Sequence, residues 1–167
     1  MAWHVYDIHF AGFERFTGGD YHLARFNVTK DDGVRTWQVA ALSDRIAAGV
    51  SVGWMATRKG LMVPGNNQTR GQSAFSFTHP ALADKLDYPD LASIACPKPM
   101  LFFNGYQDTL FPIDGVERAY QRMQTVWQNA GAPERLVTKI WDVPHEFSAL
   151  MQEETFAWLD IWLKNQR

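Results

Sequence analysis

The sequence predicts an α/β fold: a three-layer sandwich on a mostly parallel sheet. Three observations carry that expectation. Short continuous apolar runs bounded by turn residues recur along the chain, the pattern of strands buried on both faces. A long amphipathic helix separates the last two of these runs. The separations are too long for hairpins, so right-handed crossovers between parallel neighbours are the economical topology.

Residues 1 to 20, rich in aromatics and holding Gly12, Gly18 and Gly19, show no period that defines an element. His22 to Val28 reads as a strand, Val34 to Leu42 as a largely apolar helix, and Ile46 to Val52 as a buried strand. Residues 54 to 88 carry Gly60, Pro64-Gly65, Gly71 and Pro80 without a long periodic run. They are expected to be an irregular excursion of the kind that forms lids or site walls, leading to a short helix near Pro89 to Ala95. Pro99 to Phe103 is a continuous apolar run, hence a buried strand. From Asp114, a candidate N-cap, Val116, Ala119, Tyr120, Met123, Val126 and Trp127 recur at three and four residues until Gly131 and Pro133 stop the helix. Leu136 to Trp141 is the next strand, and Phe147, Leu150, Met151, Trp158, Leu159 and Trp162 mark a final helix.

A chain of 167 residues is expected to form a single domain, residues 1 to 167. Its 46% hydrophobic and 20% charged residues suit a packed core rather than disorder. With a net charge of -2 it lacks the broad basic surface that holds nucleic acid, so no nucleic-acid partner is expected. The single cysteine, Cys96, rules out an internal disulfide framework and a CxxC-type zinc site, and reads as a small buried hydrophobe. No apolar run approaches the roughly 18 residues that span a bilayer, and no signal-peptide core is visible, so a cytoplasmic protein without a membrane partner is expected.

Two residues stand immediately after predicted strands, where open parallel sheets gather catalytic groups. Asp108 lies in Asn104-Gly105-Tyr106-Gln107-Asp108-Thr109-Leu110-Phe111-Pro112, and His145 in Val143-Pro144-His145-Glu146-Phe147. Taken singly, the first reads as a turn residue and the second as a loop residue beside an N-cap. Together, an acid and a histidine at the ends of successive strands can meet above the sheet. The carboxylate then fixes the imidazole tautomer so that the other ring nitrogen can act as a base.

Several segments between Trp37 and Leu163, roughly three quarters of the chain, resemble a known family. They are Thr36 to Ile46, Asp90 to Pro99, Asn104 to Pro112, Gly131 to Arg135 and Pro144 to Phe147. These resemble the C-terminal half of an α/β-hydrolase, most closely the dienelactone-hydrolase-like and acetylxylan-esterase-like branch. The resemblance implies hydrolysis of a carboxylic ester of a small molecule, with no cofactor and no metal. It assigns Asp108 as the triad acid and His145 as the base.

The nucleophile departs from the family pattern. Where a strand should run into a Gly-x-Ser-x-Gly turn and then a helix, Arg25 to Thr29 resembles the strand and Gly33 to Trp37 the helix start. Between them stand Lys30-Asp31-Asp32, with no serine. Gly49-Val50-Ser51-Val52-Gly53 matches the motif by letter but falls in a strand that does not open a helix, which argues against Ser51. A carboxylate nucleophile at Asp31 or Asp32 is chemically open, since it needs no deprotonation, and so is a plain polar turn. A complete fold of this kind needs about 200 to 250 residues. The chain is therefore expected to be truncated or rearranged, with the sheet edge near His22 to Val28 covered either by a homodimer paired through it or by residues 1 to 20 folded over it. The competing expectations are an inactive hydrolase fragment or pseudoenzyme acting by binding, and a doubly wound binding domain unrelated to hydrolases.

Overall fold

The computed structural model describes residues 3–6, 32–66 and 80–163. Its elements in chain order are β1 (Trp3–Tyr6), α1 (Asp32–Leu42), β2 (Ile46–Val52), α2 (Arg58–Leu61), α3 (Tyr88–Ser93), β3 (Met100–Gly105), α4 (Ile113–Asn129), a 3₁₀ turn (Pro133–Arg135), β4 (Leu136–Trp141) and α5 (Ala149–Leu163). The four strands form one sheet in the order β1-β2-β3-β4, every pair parallel. The strand expected at His22 to Val28 lies outside the described residues. The strand beside β2 is Trp3–Tyr6, from a segment whose pattern defined no element.

β3 is buried along its whole length, as its unbroken apolar run requires. Side chains alternate across a strand, so Met100 and Phe102 enter the core under α1, α3 and α4, with Trp37, Tyr88, Met123 and Trp127. Leu101 and Phe103 enter the opposite core with Val50, Val52, Met151, Trp158 and Leu159, under α5. Those two cores make the sandwich three layers deep.

α4 buries Val116, Ala119, Tyr120, Met123 and Trp127 along one face, and Gly131, at φ 70, takes the left-handed turn after its C-terminus. Its N-cap is Pro112 rather than Asp114, which sits in the first turn, where a carboxylate suits the helix dipole without capping it. α3 carries its own cap: Asp87 Oδ1 accepts from Tyr88 N at 2.7 Å, and Asp90 Oδ2 accepts from Asp87 N at 2.8 Å. Phe147 lies in the loop before α5 and is buried there.

Two further expectations need correction. The start of the stretch after β2 is core rather than lid, since Trp54, Met55 and Ala56 are all buried, while residues 67–79 lie outside the described residues. Trp54 packs edge-on against Tyr88 and Phe111, with centroids 5.2 and 5.5 Å away. Gly60 of α2 lies so near Gly115 of α4 that a β-carbon on Gly60 would meet the Gly115 Cα at 2.4 Å. Contacts of this kind leave no period in the sequence. Cys96 is only half-buried, in the turn that precedes β3 and packed on the edge of the core. Among the described residues, no helix is long and apolar enough to cross a membrane.

Candidate active site

The carboxyl ends of β3 and β4 each release a loop, and the two loops are stitched together. Gly105 closes β3 and can only be glycine: a β-carbon there would meet the carbonyl oxygens of Val143 and Pro144 at 2.3 and 2.5 Å. The loop from β4 thus passes directly over the end of β3. Backbone bonds hold it: Tyr106 N donates to Trp141 O at 2.6 Å and Gln107 N to Val143 O at 3.1 Å. Gln107 Nε2 adds a bond to Asp142 Oδ1 at 2.9 Å.

Asp108 and His145 meet at this crossing. His145 Nδ1 lies 2.6 Å from Asp108 Oδ2, with the carboxylate fully buried and the imidazole 29% exposed. Asp108 Oδ1 accepts from Leu110 N at 2.8 Å, so the turn itself aims the carboxylate. With the Nδ1 proton directed at Asp108, the imidazole lone pair sits on Nε2, the tautomer a general base needs. The ring also stacks on Phe111, with centroids 6.0 Å apart and planes within 9°. No group of three or more His, Cys, Asp or Glu side chains that could hold a metal ion occurs among the described residues.

The Gly49 to Gly53 pentapeptide has a different place. Ser51 lies within β2, is 1% exposed, and donates to Gly33 O at 3.0 Å, with Trp54 O at 3.5 Å. A nucleophile elbow presents its hydroxyl at a strand-to-helix turn, whereas this hydroxyl ties the first turn of α1 to the sheet. A β-carbon on Gly49 would meet Met100 Sδ at 2.8 Å. Gly53 stands just past β2 at φ 69, directly against the His145 ring. Lys30 and Asp31 lie outside the described residues, and Asp32 is the first residue of α1. Gly53, Gly105 and Phe111 contribute to the site but were not legible as site residues. A glycine next to a strand end was the available signal, and it does not say which side chain fills the space.

No protein-family profile matches the chain. A Bacillus subtilis (strain 168) protein named "Putative hydrolase YtaP" is 25% identical over 160 residues, covering 90% of this chain and 52% of its own length. Among solved structures, a family 15 carbohydrate esterase, a glucuronoyl esterase from Caldicellulosiruptor kristjansonii, superposes with a TM-score of 0.64 at 16% identity, covering 81% of this chain and 42% of its own. The methylesterase BT1017 gives a TM-score of 0.62 at 16% identity over 83% of this chain and 29% of its own. The chain has an α/β-hydrolase-like fold that matches part of each of these structures. It spans about half the length of the curated relative it matches. In α/β-hydrolases the triad acid precedes the histidine in the chain, the order in which Asp108 and His145 occur here.

Proposed function

We propose that the chain carries the acid and base of a carboxylic ester hydrolase acting on a small-molecule ester. His145 is the general base and Asp108 the residue that orients it. One observation carries the reading: a histidine and a buried carboxylate 2.6 Å apart, on loops from successive parallel strands of an α/β-hydrolase fold. Its neighbours' names, a hydrolase, a glucuronoyl esterase and a methylesterase, support the same reaction class. The base withdraws a proton from an attacking group at Nε2 and returns it to the leaving alcohol, while Asp108 stabilises the imidazolium formed between those steps.

The nucleophile stays unassigned among Lys30, Asp31, Asp32 and water. Without an assigned nucleophile, His145 acts as a general base on water, a role worth about 10²- to 10⁴-fold. Accordingly, slow hydrolysis of p-nitrophenyl acetate is expected, falling to the buffer rate in His145→Ala. Equal rates for the native chain and His145→Ala would reject the reading. The engaged hydroxyl of Ser51 favours a second reading, a catalytically inactive chain that acts by binding. A native chain without turnover that still protects His145 from diethyl pyrocarbonate when a non-hydrolysable ester analogue is added would select it.

A further inference from the structure

We propose that Gly53 is a positioning residue whose missing side chain forms the seat of the His145 imidazole, so that the Gly49 to Gly53 pentapeptide serves the base rather than the nucleophile. A β-carbon at Gly53 would lie 2.9 Å from His145 Cε1, 3.3 Å from Nδ1 and 3.6 Å from Nε2. The first distance is below any ordinary carbon–carbon contact, so one of the two groups has to move. Gly53 cannot retreat. Its N–H donates to Phe103 O at 2.7 Å, and two residues earlier Ser51 binds the strand to Gly33 O at 3.0 Å. The imidazole is the part that yields, and it is held at Nδ1 by the 2.6 Å bond to Asp108 while its ring lies parallel to Phe111. Any displacement of Cε1 carries Nδ1 with it, since the two are bonded, and so lengthens the bond to Asp108.

The steric part of this inference stands on geometry alone, and its consequence for turnover rests on the hydrolase reading. The test compares Gly53→Ala with Gly131→Ala. Both glycines have left-handed backbone, φ 69 and φ 70, so both variants place an alanine at a φ that L residues rarely adopt. Only Gly53 has a ring against it, since nothing lies within 4 Å of a β-carbon at Gly131. The primary readout is the NMR signal of the hydrogen-bonded His145 Nδ1 proton. It is expected to vanish in Gly53→Ala and to persist in Gly131→Ala. Where turnover is measurable, kcat is expected to fall about a hundredfold in Gly53→Ala alone, the size of effect a misplacement of about 1 Å produces, with KM unchanged.

A native Nδ1 signal in Gly53→Ala would overturn the proposal. A lost signal with no turnover in the native chain would reject the hydrolase reading and leave the seat intact. Should Gly53→Ala fold too poorly for NMR, its melting temperature is compared in the His145→Ala background. There the clash is gone, and the loss should shrink to that of Gly131→Ala. A loss as large with the ring absent as with it present would overturn the proposal.

Discussion

Ser51→Ala separates a structural hydroxyl from a catalytic one, because the two roles predict opposite pairs of results. The side chain is buried and its single good bond goes to Gly33 O at 3.0 Å, the 3.5 Å approach to Trp54 O adding little. Gly33 lies in the first turn of α1, where helix geometry gives its carbonyl a second partner four residues on. Removing the hydroxyl therefore costs one net hydrogen bond, about 1 kcal/mol, rather than a buried unsatisfied carbonyl. In a domain of this size that lowers Tm by roughly 2–4 °C. Thermal unfolding followed by circular dichroism reports the shift, and p-nitrophenyl acetate turnover should stay within about twofold of native, since the hydroxyl takes no part in chemistry. A nucleophile would give the reverse: turnover lost by about 10⁶ and little change in Tm. That result, or covalent labelling of Ser51 by a fluorophosphonate, would refute the structural role.

Three further outcomes follow from the same contacts. Asp108→Asn has one carbonyl oxygen to meet two N–H donors, His145 Nδ1 and Leu110 N, and presents its amide to the other. Ester turnover should fall about 10²- to 10⁴-fold with the far-ultraviolet spectrum unchanged, and undiminished turnover would contradict the pairing. Gly105→Ala forces the loop bearing His145 off the end of β3, because the obstructing atoms are the backbone oxygens of Val143 and Pro144. A loss of about 1–3 kcal/mol in urea unfolding is expected. Burial pushes the Tyr120 phenol well above its ordinary value, and the phenol donates to Asn104 Oδ1 at 2.8 Å. The folded state favours the neutral form, so this contribution is fully present below about pH 10 and is lost as pH rises from there toward the folded value. Tyr120→Phe should remove that alkaline dependence while costing about 1–3 kcal/mol at neutral pH, as measured by urea unfolding across pH.

The sequence by itself determined the elements whose patterns are local. A continuous apolar run placed β3, a three-and-four period placed α4, and β4 was legible to the residue, from Leu136 to Trp141. Strand-then-loop order also brought out Asp108 and His145, since each follows a strand that its own neighbours define. The letter match at Gly49 to Gly53 was correctly set against its context, because a motif inside a strand cannot make a strand-to-helix turn.

Tertiary structure alone decided the rest, and the reason is the same in each case: the deciding contact joins residues far apart in the chain. Trp3–Tyr6 became a strand by pairing with β2, without a pattern of its own strong enough to announce it. Trp54 to Ala56 became core through Tyr88 and Phe111. Gly53 and Gly105 record the close approach of His145 and its loop, which a sequence shows only as an absent side chain. The 2.6 Å bond between His145 and Asp108 joins two loops brought together where the loop from β4 passes over Gly105.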